Sequence, residues 1–424
     1  MQPEGKVIAK FEWKIGSPPP ALRSHSGAKL RLIEHYLDAY FDAVVRKPSI
    51  DRLRITLIDG FCGGGAFDDN GRHVQGTPFL LLNAVSKAHL RLNAARAKPL
   101  AIDAQFHFVD KSPAATAFLL EQLHNHGYGS RIGQDIFIHT KPFEAAAVDI
   151  QEIIKKRTAN NVGRSLFLLD QKGYTLAPVS TIRSIFQQFK RAECILTFAV
   201  DFLIDYLSDR PENLKAVVPI GLMPEQVRDF VRLRGTDGGR YAVQRILLSH
   251  LQRSTSAEFA TPFFIRSQEA AKDLWLVHLS RHATARNVMV DSHWAVKNHS
   301  VHQGRGGLEI NGFNPQIDNL PQFMFADYER EQMLKRLEED VMRRLSGDAQ
   351  QINYGQFIDR IVNETPARLS DLEATFGSLT QSRRLAILDK DGKLRRASNP
   401  SREDFIEVHR QYSFSFGAPK SPKR

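Results

Sequence analysis

Cysteine is nearly absent from this sequence, since only Cys62 and Cys194 occur among its 424 residues. Two cysteines form at most one disulfide, which excludes the cross-linked framework typical of small secreted domains. Both lie in apolar, strand-like stretches and are too few to hold a metal ion by themselves, so we expect no metal site. This cysteine usage predicts a cytoplasmic protein, because thiols stay reduced in that compartment.

Long apolar runs are also missing. No stretch approaches the roughly 20 apolar residues that a membrane-spanning helix needs. The first 20 residues contain charged side chains and the run Pro18-Pro19-Pro20, and therefore do not resemble a secretory signal peptide. We expect no interaction with a membrane.

Acidic residues are outnumbered, with 47 Asp and Glu against 58 Lys and Arg, which gives a formal net charge of +11. A basic surface favours a polyanionic partner, and nucleic acid, either DNA or RNA, is the first candidate. A basic protein without such a partner is the alternative, and charge alone does not separate the two.

The chain is longer than one compact core accommodates, so the sequence predicts two or three domains. Changes in composition give the following boundaries: an extended lead-in at 1–24, an α/β domain at 25–330 with an insertion at about 208–262, a helical, winged-helix-like module at 331–412 and a basic tail at 413–424.

The stretch 53–67 contains the strongest local pattern in the chain. Its apolar, β-branched start predicts a buried parallel strand over 54–59 that ends at Asp59. Three consecutive glycines begin at Gly63, where they let the backbone turn tightly and let a ligand lie against the main chain. This layout is typical of a nucleotide-type cofactor site in an open α/β sheet. A plain glycine-rich turn is the alternative.

Strands alternate with helices after this point, which predicts a doubly wound, mostly parallel, Rossmann-like sheet. The further predicted strands are 105–109, 135–139, 165–169, 194–200 and 272–279. Asp59, Asp110 and Asp170 each end a strand, so we expect their carboxylates along one rim of the sheet, where such folds bind ligands. Asp110 can hold a ribose by accepting hydrogen bonds from the two ribose hydroxyls. The alternative is that Asp110 stabilises a turn or caps a helix.

From residue 331 the pattern changes to charged helices. Three helices are followed by two short strands around the Asp391-Gly392 turn, an order typical of a winged-helix module. Six basic residues would surround the wing, within reach of nucleic-acid phosphates: Arg383, Arg384, Lys390, Lys393, Arg395 and Arg396. A small helical cap on the main domain is the alternative.

The segment D-G-F-C-G-G-G-A, which starts at Asp59, resembles the first motif of S-adenosylmethionine-dependent methyltransferases, D/E-x-F-x-G-x-G. With H-S-G-A-K-L-R-L-I-E-H-Y-L-D-A-Y, G-T-P-F-L-L-L-N-A-V, F-H-F-V-D-K-S-P and L-F-L-L-D, it makes residues 25–330 similar to the three-Cys-motif partner (TcmP) family. The resemblance implies a class I methyltransferase fold, S-adenosyl-L-methionine as cofactor, and a radical-type partner protein with three cysteines. The cofactor-binding residues that it implies are Asp59, Gly60, Phe61, Gly63, Gly65 and Asp110.

A more local likeness is to Dam-type DNA adenine N6-methyltransferases, whose first motif ends F-x-G-G-G-A as the segment from Phe61 does here. Their preceding G-G-K element is partly matched by G-A-K ending at Lys29, which implies a cofactor-side role for Lys29. After strand four they carry Asp/Asn-Pro-Pro-Tyr/Phe, which holds the target amine and stacks on the flipped base. Here that segment is D-Q-K-G-Y, so the likeness implies Asp170 and Tyr174 as catalytic residues, although the prolines are absent.

Two functions remain open on this basis. In the first, the protein is an S-adenosylmethionine-dependent methyltransferase that acts on nucleic acid, with an amine as the acceptor. In the second, a methyltransferase-like fold with a degraded fourth motif binds nucleic acid or a protein partner without turnover. The strand-end acids favour the first function, and the segment D-Q-K-G-Y favours the second.

Overall fold

The computed structural model of the protein describes residues 12–94, 96–158, 163–267, 272–296, 302–303, 308, 322–323, 327–346, 351–395 and 399–408. The chain divides into two compact units, one formed by residues 1–305 and 309–330 and the other by residues 306–308 and 331–424. Each unit has its own sheet and is described by itself.

The first unit alternates strands and helices through β7. Its strands are β1 (Arg52–Asp59), β2 (Ala66–Asp69), β3 (Arg72–Gln75), β4 (Ala101–Asp110), β5 (Ile136–Thr140), β6 (Arg164–Leu169), β7 (Ala192–Phe198), β8 (Phe259–Ser267), β9 (Lys272–Ser280), β10 (His302–Gln303) and β11 (Gln322–Phe323). Its helices are α1 (Ser24–Val44), α2 (Thr77–Asn93), α3 (Pro113–Asn125), α4 (Phe143–Arg157), α5 (Val179–Gln188), α6 (Val200–Tyr206), α7 (Pro211–Leu214), α8 (Pro224–Arg234), α9 (Gly239–Thr255) and α10 (Ala283–Val296).

Seven strands form the central sheet in the order β5-β4-β1-β6-β7-β9-β8. The first five in this order are parallel to one another, and β9 is antiparallel to both of its neighbours. This is a Rossmann-like methyltransferase fold, so the predicted fold class is confirmed. The chain order reverses at β1, between β4 and β6, which is the point where open α/β sheets bind their ligands.

Helices cover both faces of this sheet. Apolar side chains of α1, α2, α3 and α10 pack on one face, and those of α4, α5, α6, α8 and α9 pack on the other. In β1, Ile55 and Leu57 face the first group and Ile58 faces the second, as the two-residue period of a strand requires. Each such fully buried side chain stabilises the fold by roughly 1.5–3 kcal/mol. None of the helices in the described residues combines the length and apolar character that crossing a membrane requires.

The second unit is a winged-helix domain, which is also as predicted. Its elements are most of α11 (Asp327–Ser346), β12 (Gln351–Asn353), α12 (Tyr354–Ile361), α13 (Leu369–Gln381), β13 (Leu385–Leu388) and β14 (Phe405–Val408). The three strands form an antiparallel sheet in the order β12-β14-β13. Leu372 and Phe376 of α13 are fully buried, so this helix packs firmly on the domain core.

One stretch of the first unit differs from the sequence pattern. Residues 68–76, which the polar composition predicts as a loop, form most of the β2–β3 hairpin. Asn70 and Gly71 adopt positive φ angles of 53° and 84° and close a two-residue turn. Asn-Gly is a strong signal for such a turn, and the flanking residues conceal it because they are polar.

Two further strands also differ from expectation. β8 is an edge strand in a region that the sequence pattern leaves unassigned, and Pro262 within it weakens the strand signal while an edge position tolerates it. In the winged-helix domain, β13 pairs with β14, and the residues after the Asp391-Gly392 turn return along β13 through an antiparallel bridge between Leu388 and Leu394. Arg395 N donates to Ile387 O at 2.8 Å and Asp389 N donates to Lys393 O at 2.9 Å. The predicted hairpin turn is therefore present, and in the described residues its second strand is limited to this short pairing.

Candidate active site

Three aspartates lie at the carboxyl edge of the parallel strands. Asp59 and Asp110 are the last residues of β1 and β4, and Asp170 directly follows β6. Because β1 lies between β4 and β6, the three side chains meet at the point where the chain order reverses. The charges of Asp170 and Asp110 both contribute to raising the pKa of Asp59, so the carboxylates are close enough to interact.

Asp59 is fully buried, and this burial raises its pKa to about 7. The Thr77 side chain and the Phe61 N–H partly oppose that rise, and the Phe61 N–H donates to Oδ1 at 3.2 Å. The other oxygen, Oδ2, is buried and meets no hydrogen-bond donor within the described part of the chain. A buried oxygen without a donor is costly, by about 1–3 kcal/mol, and marks a place where a ligand's donor would fit.

Asp110 fixes the backbone of residues 60–65, which we call the glycine turn. Its Oδ2 accepts a hydrogen bond from Gly63 N at 3.1 Å, and its Oδ1 accepts one from Ser112 N at 2.8 Å. Gly63 has a φ of +54°, which only glycine adopts readily. A carboxylate has about four lone-pair sites, so Asp110 keeps acceptor capacity for a ligand hydroxyl after making these two bonds.

Two glycines of the turn face the protein interior. A Cβ at Gly60 would lie within 3.0 Å of atoms of Leu169 and Phe143, and a Cβ at Gly65 would lie 2.6 Å from Leu119. Phe61 packs against Phe143 with a distance of 5.7 Å between the ring centroids. These residues therefore shape the turn through packing from inside.

The other two glycines face the side chain of Trp13. A Cβ at Gly63 or at Gly64 would come within 3.0 Å of several ring atoms of this indole. The Trp13 Nε1 donates to the Ala66 carbonyl at 2.8 Å, and its ring meets Phe67 edge-on. The glycine turn thus carries an aromatic ring directly on its backbone, contributed by a segment that the sequence predicts only as an extended lead-in.

Lys29, predicted on the cofactor side, lies against Asp170. Its Nζ donates to Oδ1 at 2.5 Å and to Oδ2 at 2.7 Å, and Thr197 Oγ1 donates to Oδ1 at 2.6 Å. The Lys29 side chain is 9% exposed and that of Asp170 is 33% exposed. The pair therefore holds an ionised Asp170 in a fixed orientation at the mouth of the site.

The segment D-Q-K-G-Y forms an ordered loop without proline. The buried Gln171 side chain folds under it, and its Oε1 accepts from Leu176 N at 2.8 Å and from Ala177 N at 2.9 Å. The Gly173 carbonyl accepts from Ala199 N at 3.1 Å. Tyr174 is partly buried against Phe198, and this burial raises the pKa of its hydroxyl. The loop is thus held by side-chain and backbone hydrogen bonds where proline would restrict the backbone.

A buried polar cluster lies deeper under α1. Tyr36 donates its hydroxyl proton to Glu193, and His278 Nε2 lies 3.0 Å from a Glu193 carboxylate oxygen. All three side chains are at most 3% exposed, so they do not meet a substrate. Tyr36 follows Lys29 by two helical turns, and the cluster fixes the helix that presents Lys29 to Asp170.

Sequence reasoning missed four residues of this site: Trp13, Thr77, Gln171 and Thr197. Gln171 and Thr197 are ordinary polar residues next to apolar strands, and their hydrogen bonds span distances that no local pattern encodes. Trp13 had a usable signal, because a large aromatic residue in a polar, proline-rich segment commonly has a packing partner. In the described ranges, no group of three His, Cys, Asp or Glu side chains is placed to hold a metal ion.

A model of the GMT-like wHTH domain family matches residues 312–392. No curated protein matches the chain. Similar solved structures include a possible exported protein from Bordetella parapertussis (12% identity, TM-score 0.24, 57% of this chain and 66% of that chain). They also include a putative class I S-adenosylmethionine-dependent methyltransferase from Listeria monocytogenes (9%, 0.26, 62% and 63%) and PKMT2 from Rickettsia typhi (11%, 0.27, 86% and 74%).

This chain spans just under two thirds of the length of the first two of these structures. The fold of the first unit follows from its own strand order. The likenesses to the TcmP family and to Dam-type enzymes, and the radical-type partner, are not supported by these matches and remain predictions. The chain combines a Rossmann-like methyltransferase fold with a C-terminal winged-helix domain.

Proposed function

We propose that the protein is an S-adenosylmethionine-dependent methyltransferase that acts on an amine of nucleic acid. The observation that carries this proposal is the convergence of Asp59, Asp110 and the glycine turn at the point where the strand order reverses. That point is the usual ligand site of a doubly wound sheet. When bound, the cofactor supplies an electrophilic methyl group on a sulfonium.

The residues present fit such a cofactor. Asp110 keeps acceptor capacity for ribose hydroxyls, and the buried Asp59 Oδ2 fits a ligand's hydrogen-bond donor. Gly60, Phe61, Gly63 and Gly65 would form the surface under it. Lys29 lies at the boundary between the cofactor side and the acceptor side, where its ammonium group neutralises Asp170.

Asp170 and Tyr174 would hold the acceptor. A carboxylate accepts hydrogen bonds and so suits an amine, while an aromatic ring suits a stacked base. Methyl transfer needs an oriented acceptor and a site that excludes water more than it needs covalent help from the protein. The hydrogen bonds of Lys29 and Thr197 to Asp170, and those of Gln171 under the loop, provide this orientation.

The distribution of charge favours nucleic-acid contact through the methyltransferase-like unit. Residues 1–326 contain 40 Lys and Arg against 31 Asp and Glu, whereas residues 327–408 contain 14 against 16 and residues 409–424 contain 4 against none. Lys111 and Lys172 are exposed, directly beside Asp110 and in the loop after Asp170. A substrate phosphate backbone at the site mouth would meet these cations.

Calorimetric titration with S-adenosylhomocysteine tests the cofactor site. Asp110→Ala should weaken binding by about 1.5–3 kcal/mol, the scale of charge-assisted hydrogen bonds. Ser112→Ala is the matched control, because it removes the N-cap of α3 and leaves the Asp110 carboxylate in place. Absence of binding at millimolar cofactor, both to the wild type and to a variant without the Trp13 ring, would end the proposal.

A second candidate function is a binding module without turnover. The observation that favours it is the pairing of Asp170 with Lys29 in a loop that lacks both prolines. Labelled methyl transfer to mixed DNA and RNA separates the two functions, because a binding module retains nucleic acid without labelling it.

A further inference from the structure

Residues 12–22, which we call the strap, lie across the outer side of the glycine turn. Among the described residues, the strap has two attachments to the rest of the unit. At one, the Trp13 indole packs on Gly63 and Gly64 and donates to the Ala66 carbonyl at 2.8 Å. At the other, Pro20 O accepts from Asp68 N at 2.9 Å and Leu22 N donates to Asp68 O at 2.6 Å, so the strap extends the edge of β2.

The Trp13 ring lies so close to the glycine turn that no other group fits between the ring and the backbone. A Cβ on either glycine would overlap the indole, which means that the ring touches the backbone itself. A ligand that lies against Gly63 and Gly64 therefore cannot slide between ring and backbone and has to take the place of the ring. An indole is a planar bicyclic aromatic group, as is adenine, so the surface suits both.

The two attachments of the strap differ in kind. The second consists of backbone hydrogen bonds to β2, and the run Pro18-Pro19-Pro20 before it is stiff because proline fixes φ. Between the attachments, residues 14–18 are exposed. Trp13 can therefore leave the turn while the second attachment stays in place.

We propose that the strap closes the glycine turn, and that the cofactor has to displace Trp13 in order to bind. This rests on the proposed function in one respect, namely that the ligand of the turn is the cofactor. The apparent association constant of the cofactor then equals the intrinsic association constant multiplied by the fraction of molecules in which Trp13 has left the turn. The N-terminal segment would thus regulate access to the site.

Titration of S-adenosylhomocysteine into wild type, Trp13→Ala and Ile15→Ala tests this competition. Trp13→Ala should lower the dissociation constant, on the order of tenfold, because it removes the competing ring. Ile15→Ala is the matched control, since Ile15 belongs to the strap but is 53% exposed, and it should bind as the wild type does. Circular dichroism checks that the variants fold.

The outcomes separate this proposal from the proposed function. If the wild type binds and Trp13→Ala binds equally or more weakly, Trp13 is a wall of the site or a bystander, and the strap proposal is wrong. If Trp13→Ala binds and the wild type does not, both proposals are supported. If neither binds, the cofactor assignment fails and the strap proposal fails with it.

Gly64→Ala tests whether ring and cofactor share one surface. Gly64 does not adopt a left-handed backbone, so alanine is allowed there, but its methyl group would expel the Trp13 ring. Acrylamide quenching of tryptophan fluorescence should therefore increase, because Trp275 and Trp294 are buried and only Trp13 changes exposure.

The Trp13→Ala, Gly64→Ala double variant should bind the cofactor far more weakly than Trp13→Ala alone. Equal binding of the two would show that the cofactor does not lie on Gly64, and would overturn the competition.

Discussion

At the scale of single residues, Asp59 shows how strongly burial changes the protonation of a side chain. Its carboxyl ionises near pH 4 in an unfolded chain, and burial raises its pKa to about 7 in the fold. The folded state therefore holds the proton more tightly than the unfolded state does. The stability that this group contributes is fully present below the unfolded pKa and is lost as the pH rises towards the folded pKa.

Replacement of Asp59 by asparagine should remove the contribution of this residue to the pH dependence of stability. Between pH 4 and 7 we expect the free energy of unfolding of the wild type to fall by on the order of 2–4 kcal/mol more than that of Asp59→Asn. Urea unfolding at several pH values measures the difference. Parallel pH profiles of the two proteins would mean that Asp59 is ionised in the fold at neutral pH.

Asp170 is the residue at which the two candidate functions part. If methyl transfer occurs, Asp170→Ala should lower the rate by a hundredfold or more, because a charged hydrogen bond to the acceptor is lost. Binding of S-adenosylhomocysteine should be nearly unchanged. Tyr174→Ala should weaken acceptor binding by roughly 1–3 kcal/mol through lost stacking. Transfer of labelled methyl to nucleic acid gives the rates, and transfer that survives in Asp170→Ala would remove this residue from the mechanism.

Among the elements, the loop after β6 shows how hydrogen bonds can order a segment that lacks the prolines of the Dam-type segment. Proline restricts φ within the chain, whereas here Gln171 reaches under the loop and accepts two backbone hydrogen bonds. Its Nε2 is buried without a hydrogen-bond acceptor among the described residues. The acceptor oxygen is therefore the part of the side chain that orders the loop.

Two substitutions test the role of the Gln171 side-chain oxygen separately from that of the rest of the side chain. Gln171→Leu leaves the buried N–H of Ala177 without an acceptor, at about 1–3 kcal/mol, and also the partly buried N–H of Leu176. It should lower the transfer rate at least tenfold while cofactor affinity stays nearly constant. Gln171→Glu keeps an acceptor oxygen and should retain more of the rate. Steady-state kinetics with both variants checks this. If both lose equal activity, the oxygen is not what orders the loop.

The helix α13 of the winged-helix domain presents little positive charge. Its exposed side chains are Ser370, Glu373, Ala374, Ser378 and Gln381. Several basic residues near the wing are held in ion pairs, such as Arg384 with Glu338 and Arg395 with Asp404. A helix that reads the major groove normally carries Arg, Lys, Asn or Gln towards the bases, so this face is a poor match for sequence readout.

For the molecule as a unit, residues 1–326 contribute +9 to the net charge of +11, residues 327–408 contribute −2 and residues 409–424 contribute +4. Reversal of two exposed cations at the site mouth, Lys111→Glu with Lys172→Glu, should weaken nucleic-acid binding and lower the salt slope by about 2 or more. The matched control reverses two exposed cations of the wing, Lys390→Glu with Lys393→Glu, and should have a smaller effect. Fluorescence anisotropy over a range of salt concentrations measures both. A larger effect of the wing variant would place the main nucleic-acid contact on the winged-helix domain.

The sequence by itself determined the fold of this protein. Apolar, β-branched runs that alternate with amphipathic helices leave a parallel sheet as the arrangement that buries both kinds of face. The aspartates at the strand ends, Asp59, Asp110 and Asp170, follow from the same pattern, because parallel strands end at one edge. The order of helices and strands after residue 331 likewise indicated a winged helix.

Only the tertiary structure decided what these residues touch. The pairing of Lys29 with Asp170 joins positions 141 residues apart, and the bond of Gly63 to Asp110 joins positions 47 apart. The packing of Trp13 on the glycine turn depends on the path of residues 12–22. No periodicity encodes that path, because these residues have neither a helical nor a strand pattern. Periodicity fixes which face of an element is buried, whereas contacts between distant loops depend on how the elements pack, and the site is built from such contacts.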